Sequence, residues 1–207
     1  MLIFLRFTWL LKNLNKRRNL TKARMLNNSE PRADELEAIS ILLRNKRFSE
    51  VIICAEKSIE VYPNSLNLLK ILTNANICLN KFDNAIKTYS KLLELEPLNQ
   101  NYYKSVGALY AKKGDLDSAL STYAKALTLN PDDAEVYYNL GNAYHKKRAF
   151  DLSIENYRNA IEINRNYFDA LYNLANTLSE LKDFYSAIVF FKRAFKIKPE
   201  HPGVSAN

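Results

Sequence analysis

The sequence predicts an all-α fold in which about five helical hairpins stack on one another. The first observation is a fixed period, because Pro63, Pro97 and Pro131 stand 34 residues apart and Pro199 follows two periods later. The second observation is that apolar and small residues recur in the same register around these prolines. Hairpins of this length bury a core only against their neighbours, so the period indicates a repeat protein that offers a binding surface.

The unit at residues 134–167 shows why each half of the repeat predicts a helix. Spacings of three, one and three residues place one set of core residues on a single face of a first helix. This set is Tyr137, Leu140, Gly141 and Tyr144. A second set predicts the second helix in the same way: Phe150, Ser153, Tyr157 and Ala160. Turn residues such as Gly114-Asp115 and Asn130-Pro131-Asp132 separate the predicted helices.

The same register continues in the other units. It is clear at residues 100–133 and 168–201 and weaker at 66–99, where Asn76 replaces an expected aromatic residue. Because Gly107 and Gly141 have no side chain, we expect the two helices of a hairpin to touch at these positions.

This pattern resembles the tetratricopeptide repeat (TPR) family, whose 34-residue unit places an aromatic residue, Leu-Gly, Tyr, Ala, an aromatic residue, Ala and Pro in that order. The resemblance covers five units at 32–65, 66–99, 100–133, 134–167 and 168–201. It implies a right-handed α-solenoid with a concave groove along the first helices. Residues 1–31 then form a basic segment with an apolar tip, and residues 202–207 begin an incomplete sixth unit.

The resemblance also implies which residues line the groove, because one face of each first helix points away from the core stripe. The residues expected to bind a peptide are Asn74, Asn101, Lys104, Tyr138, Asn139, Asn142, His145, Tyr172, Asn173 and Asn176. An asparagine amide both donates and accepts, so a row of amides can hold the backbone of an extended peptide. This row is similar to the asparagine-lined groove in the TPR arrays of O-linked N-acetylglucosamine transferases. The alternative is that the row only reflects a chain rich in asparagine.

A second kind of TPR groove, in which co-chaperones hold the C-terminal carboxylate of heat-shock proteins, is not expected. Lys70 and Asn74 match the first pair of that family pattern, but Ser105 stands where Asn is required. Glu135 and Asn139 stand where Lys and Arg are required. Two cations are therefore missing, and Glu135 would repel a carboxylate.

The net charge of +8 does not indicate a nucleic-acid partner. Residues 1–29 hold seven of the 30 basic residues and no acidic residue, so the other 23 basic residues are nearly balanced by 22 acidic ones. The one dense basic run of the repeats, Lys146-Lys147-Arg148, indicates a solvated helix end. Nucleic-acid binding requires a clustered basic face, which the repeats lack.

Catalytic, cofactor and metal chemistry is not expected. Cys54, Cys78, His145 and His201 are isolated from one another, without the spacing of metal ligands. We find no catalytic motif, and two isolated cysteines indicate ordinary thiols in a reducing compartment.

The first residues leave three interpretations open. Residues 1–11 are apolar apart from Arg6 and Thr8. This segment is too short to span a bilayer as a helix, which requires about 20 residues. Residues 1–25 lie in a membrane interface, form an organelle presequence, or form a helix that covers the first repeat. We therefore expect a cytoplasmic protein, either with or without association with a membrane, or alternatively an organelle-targeted one.

The other end of the chain carries a similar expectation. Solenoids of this kind normally finish with a helix whose outer face is polar, and residues 202–207 are too few for one. We expect either a longer protein or an open end that is covered by a partner or by self-association.

The function that the sequence predicts is a non-catalytic scaffold, which binds a peptide segment or helix of a partner protein in the concave groove. One alternative is the substrate-selecting TPR arm of a larger, glycosyltransferase-like enzyme. The other alternative is a membrane-tethered assembly factor.

Overall fold

The computed structural model describes residues 30–200, which form ten helices and no strand. The all-α prediction is confirmed, and the helices come in five pairs joined by short turns. In chain order they are α1 (Ala33–Arg44), α2 (Phe48–Ile59), α3 (Leu66–Cys78), α4 (Phe82–Leu95), α5 (Gln100–Lys113), α6 (Leu116–Leu129), α7 (Ala134–Lys146), α8 (Phe150–Ile163), α9 (Phe168–Glu180) and α10 (Phe184–Ile197). The interpretations of residues 1–25 and of the incomplete sixth unit concern residues outside this range.

The described helices fall into two compact units, of which one ends at Asn99 and the other begins at Gln100. In the first unit, α1 pairs with α2 and α3 with α4, and α3 also contacts both helices of the first pair. Its core gathers apolar residues from α1, α2 and α3, such as Ile39, Val51 and Leu68. Each hairpin thus buries its apolar face against the next one, as a short α-solenoid.

The second unit holds three hairpins, α5–α6, α7–α8 and α9–α10. The first helix of a hairpin contacts the second helix of the hairpin before it, in the pairs α6–α7 and α8–α9. In addition, α7 contacts both α5 and α9. The three first helices therefore lie side by side along one face of this unit.

The two predicted close contacts at glycine are confirmed. A Cβ atom added at Gly107 in α5 would lie 2.5 Å from Cε1 of Tyr123 in α6. The same atom added at Gly141 in α7 would lie 2.5 Å from the ring of Tyr157 in α8. These distances are too short for any side chain, so glycine lets each tyrosine ring lie directly on the neighbouring helix.

The turn inside each hairpin also repeats with the 34-residue period. One residue in every such turn has a left-handed backbone, with φ between 56° and 82°. These residues are Lys46, Asn80, Gly114, Arg148 and Lys182. Around Arg148, the N–H of Arg148 donates to the His145 carbonyl and the next N–H donates to the Tyr144 carbonyl. This pair of bonds is the Schellman motif that ends a helix.

Other predictions about the chain can be compared with the described residues. The basic run at 146–148 is exposed at the end of α7 and in the turn after it, as expected for a solvated helix end. Both cysteines are free, with Cys54 buried and Cys78 exposed. Burial raises the pKa of the Cys54 thiol to about 12, which makes it an unreactive core residue. None of the helices between residues 30 and 200 is long and apolar enough to cross a membrane.

Candidate functional site

A groove of about 590 Å³ opens on the second unit between the C-terminal halves of α7 and α9. Its lining, which we call the asparagine groove, consists of Asn142, His145, Lys146, Tyr157, Asn173, Asn176, Ser179, Glu180 and Phe191. Four of the ten predicted site residues are in this set. Asn142 and His145 lie three residues apart on α7, and Asn173 and Asn176 lie three apart on α9, so each pair shares one helix face.

The amides of the groove are held by hydrogen bonds that cross three helices. Oδ1 of Asn142 in α7 accepts a bond of 2.7 Å from the hydroxyl of Tyr157 in α8. The same oxygen accepts a bond of 2.9 Å from Nδ2 of Asn173 in α9. Nδ2 of Asn173 also lies 3.4 Å from the hydroxyl oxygen of Tyr138. The two asparagines are therefore fixed in orientation by their neighbours.

These bonds leave a matched donor and acceptor in the groove. Among residues 30–200, the Nδ2 of Asn142 and the Oδ1 of Asn173 have no hydrogen-bond partner. The Asn176 side chain, one helical turn further along α9, makes no hydrogen bond within the same residues. A peptide group requires one acceptor and one donor, and this arrangement supplies both.

The hydroxyl of Tyr157 keeps its proton over the whole physiological range. Its ring is 1% exposed, and this burial raises the pKa of the hydroxyl to about 12. The hydroxyl therefore remains a donor to Asn142, and the Asn142 carbonyl stays oriented toward α8.

One rim of the groove carries a contact between a histidine and a glutamate side chain. Nε2 of His145 lies 3.2 Å from Oε1 of Glu180, which links the ends of α7 and α9. The His145 ring also packs edge-on against Phe150, with 5.4 Å between the ring centroids. His145 is therefore positioned from two sides at the mouth of the groove.

The two predicted tyrosines belong to aromatic clusters beside the groove. The Tyr138 ring lies 5.1 Å from the Tyr167 ring and 6.1 Å from the Tyr157 ring. The Tyr172 ring stacks on Phe168, with 5.9 Å between centroids and 8° between planes. Both tyrosines are half-buried, and Tyr138 contacts the asparagine network through its hydroxyl.

Lys104 is engaged in an ion-pair network between α5 and the start of α7. Its Nζ lies 3.1 Å from Oδ2 of Asp133 and also pairs with Glu135. Asp133 caps α7 by accepting bonds from two backbone N–H groups of its first turn. Burial alone would lower the pKa of Lys104, but hydrogen bonds to Glu135 and Asp133 outweigh it and raise the pKa above its ordinary value. Lys104 thus joins two repeats and does not line the asparagine groove.

The remaining predicted residues lie apart from the groove lining. Asn101 is exposed at the start of α5, and Asn139 is half-buried on α7. Asn74 is exposed on α3 in the first unit, where its Oδ1 accepts a weak bond of 3.4 Å from the Cys78 thiol. No cluster of three or more His, Cys, Asp or Glu side chains fit to hold a metal is present between residues 30 and 200.

Comparison with family models decides the family of the repeats. A TPR repeat model matches residues 107–147, and a tetratricopeptide repeat model matches residues 134–167 and 168–201. Residues 107–201 of the chain therefore match tetratricopeptide repeats. The sequence matches no curated protein significantly.

Solved structures of TPR proteins share this fold at low sequence identity. MamA from Desulfovibrio magneticus RS-1 is 20% identical, with a TM-score of 0.71 over 80% of this chain and 94% of that one. YrrB, described as a TPR protein with an unusual peptide-binding site, is 18% identical, with a TM-score of 0.69 over 91% and 96%. The first TPR of Spaghetti (RPAP3), bound to the HSP90 peptide SRMEEVD, is 21% identical, with a TM-score of 0.50 over 52% and 85%.

The TPR pattern alone does not identify every residue of the groove. Tyr157 occupies a core position of the repeat, and the period gives no sign that its hydroxyl reaches the groove. The equivalent residue one unit later is Phe191, so the only available signal is the choice of Tyr over Phe. Ser179 and Glu180 lie at the end of α9, where the groove face of a TPR first helix continues for one more turn.

Proposed function

We propose that this TPR chain is a non-catalytic interaction scaffold that binds a peptide segment of a partner protein in the asparagine groove. The observation that carries the proposal is the donor and acceptor left open by Asn142 and Asn173. Together they match the carbonyl and the N–H of a peptide backbone. Such contacts hold a peptide whatever its side chains are.

Pre-organisation of the amides favours binding. A free asparagine side chain loses rotational freedom when a ligand orders it, at a cost of about 0.5–1.5 kcal/mol per side chain. Here Tyr157 and the two asparagines already fix one another, so most of that cost falls on folding. The groove is also open along one side, which suits a chain that runs across the repeats.

The comparisons support a peptide as the ligand. YrrB is described as having a peptide-binding site, and the Spaghetti TPR is bound to a peptide. The likeness to these proteins concerns the fold, so the asparagine groove itself remains our proposal. The similarity to the asparagine-lined arrays of O-linked N-acetylglucosamine transferases favours contacts to the peptide backbone over contacts to a terminal carboxylate.

The proposal is tested with peptides selected from a random display library on the full chain. The affinity of the selected synthetic peptide is then compared between the wild type and the Asn142→Ala/Asn176→Ala variant. Loss of two hydrogen bonds, each of about 0.5–1.5 kcal/mol, is expected to weaken binding by about tenfold or more.

Asn156→Ala is the matched control for this experiment. Asn156 lies on α8, outside the groove, and its amide donates to the Leu152 carbonyl of its own helix. This substitution should leave the affinity unchanged. Equal affinity of the wild type and the groove variant would exclude the asparagine groove as the binding site.

A further inference from the structure

The last described helix, α10, has a large exposed apolar surface. Five large side chains contribute to it: Phe184, Tyr185, Ile188, Val189 and Phe195. Their spacing of one, three, one and six residues places them on one side of the helix. The adjoining side of α10 is buried through Ala187, Phe191 and Ala194. The exposed surface is therefore a second face of this packed helix, which no other part of residues 30–200 covers.

The repeat register shows what this face is built to contact. Ile188 and Phe195 lie one period after Ile154 and Ile161 of α8. Ile154 and Ile161 of α8 pack into a core that includes residues of α9, and Ile161 is only 6% exposed. Ile188 and Phe195 are 47% and 45% exposed. The exposed surface of α10 is thus equivalent to the surface of α8 on which α9 packs.

The apolar surface is also wider than stacking of repeats requires. Tyr185 and Val189 are 84% and 44% exposed. One period earlier the same positions hold Asp151 and Glu155, which are exposed and acidic. Apolar side chains at these two positions make the exposed apolar surface of α10 wider than the surface of α8 that α9 covers.

The charge of α10 indicates the character of its occupant. The helix contains no acidic residue, and Lys192, Arg193 and Lys196 stand on either side of Phe195 in its second half. By contrast, α8 carries three acidic residues. A basic helix face disfavours a second basic face, which makes a copy of α10 itself a poor occupant, and it favours an acidic one.

We propose that α10 is a docking site for an acidic amphipathic helix of a partner protein. The apolar stripe of that helix covers Ile188 and Phe195, in the way that α9 covers α8. Its acidic side chains lie beside Lys192 and Lys196. This site is separate from the asparagine groove, and the two proposals fail independently.

The probe for this site is a synthetic peptide with the sequence of residues 166–181, which contains α9. This peptide is chosen because α9 packs on the equivalent surface of α8. Its charged residues are Asp169 and Glu180. A hydrocarbon staple on its solvent face holds it helical, and a fluorescent label reports binding to the full chain by anisotropy.

We expect saturable binding that falls by about tenfold or more in Ile188→Glu and in Phe195→Glu, because each places a charge under the apolar stripe. Ile53→Glu is the control, since Ile53 on α2 has a matching exposure of 44% and belongs to the other unit. It should bind the peptide as the wild type does. A peptide with Lys at both acidic positions should bind more weakly, with the difference reduced at high salt.

Several results would overturn the proposal. One is the absence of saturable binding of the acidic peptide, and another is unchanged binding by both α10 variants while circular dichroism shows that they are folded. Binding of the wild type to vesicles with phosphatidylserine, abolished by Val189→Glu, would assign the face to a membrane instead. A dimer in light scattering that Val189→Glu converts to monomer would assign it to a second copy. The Asn142→Ala/Asn176→Ala variant should bind the α9 peptide normally, which separates this test from that of the asparagine groove.

Discussion

Tyr157 combines two roles that its position in the repeat would not suggest. Its ring fills the space above Gly141 in the core, and its hydroxyl orients the Asn142 carbonyl in the groove. The ring is therefore fixed by packing, and the hydrogen bond from its hydroxyl fixes the orientation of the Asn142 amide. At this residue the fold and the candidate site depend on the same side chain.

Tyr157→Phe is expected to separate these two roles. The ring stays, so at pH 8 the free energy of unfolding should fall by only about 1 kcal/mol for the lost hydrogen bond. The pH dependence should also change. Since burial raises the pKa of the native tyrosine to about 12, its contribution to stability is complete below the unfolded value of about 10 and is lost as the pH rises through 12.

Urea unfolding at pH 8 and pH 11 measures this difference. Between the two pH values, the free energy of unfolding should fall by about 1 kcal/mol more in the wild type than in Tyr157→Phe. Tyr123→Phe is a second variant for comparison. Burial also raises the pKa of Tyr123 to about 12, but Tyr123 does not line the groove. Identical pH profiles for all three proteins would contradict the assignment of a buried, neutral hydroxyl.

Gly141→Ala tests the close contact in the core. Alanine favours a helix by about 1 kcal/mol over glycine, but its Cβ would lie 2.5 Å from the Tyr157 ring. Overpacking costs about 1–3 kcal/mol, so we expect a net loss of about 1 kcal/mol in urea unfolding. Ser121→Ala, at an exposed site of α6, should change stability by less than about 0.5 kcal/mol. A more stable Gly141→Ala protein would show that the helices can separate without cost.

Part of the candidate site could be predicted residue by residue, because outward positions of a helix follow from its period. Asn142, Asn173 and Asn176 were found in this way and lie in one groove. The bonds among them could not be predicted, since they depend on how closely α7, α8 and α9 pack. The pairing of Lys104 with Asp133 across two hairpins was missed for the same reason.

At the scale of elements, the helices followed from the sequence but the backbone of their turns did not. A left-handed residue recurs at every hairpin turn, yet only Gly114 of the five is a glycine. Asn80 is a residue type that tolerates this conformation, but Lys46, Arg148 and Lys182 carry side chains that give no signal of it. The Schellman bonds that end the first helix of each hairpin hold these residues in a region of φ that disfavours side chains.

Glycine at these turns should therefore stabilise the protein. A side chain in the left-handed region costs about 1–2 kcal/mol, and glycine loses about 0.5–1 kcal/mol in chain entropy. Arg148→Gly and Lys182→Gly should each raise the free energy of unfolding by up to about 1 kcal/mol in urea titrations. Gly114→Ala should lower it by about 1 kcal/mol, since an added Cβ there has no atom within 4 Å and only the backbone matters. Destabilised Arg148→Gly and Lys182→Gly proteins would contradict this account of the turns.

At the scale of the whole molecule, the described residues form two units, and each has its own core. In repeat proteins, stability is a sum of local terms, so a defect is expected to act mainly on its neighbours. The 34-residue period predicted the stacking of hairpins but not this division, since the same residue types occupy the same repeat positions in both units. The contacts that define each unit depend on packing in three dimensions.

Two matched core substitutions test this division. Leu68 in the first unit and Leu174 in the second are both fully buried, so replacing either with alanine should cost about 2–5 kcal/mol. Hydrogen exchange followed by mass spectrometry should show faster exchange in α1–α4 for Leu68→Ala and in α5–α10 for Leu174→Ala. Equal acceleration along the whole chain in both variants would mean that the units unfold as one.

In the proposed function, the amides of the asparagine groove contact the backbone of a bound peptide. The most direct measurement is a nuclear magnetic resonance titration that follows the side-chain amide signals of Asn142, Asn173 and Asn176 while a library-selected peptide is added. We expect these three signals to shift with the same affinity as the peptide, while the Asn156 side-chain signal stays in place. Saturation of the chain with peptide while the three groove signals remain unmoved would contradict the claim.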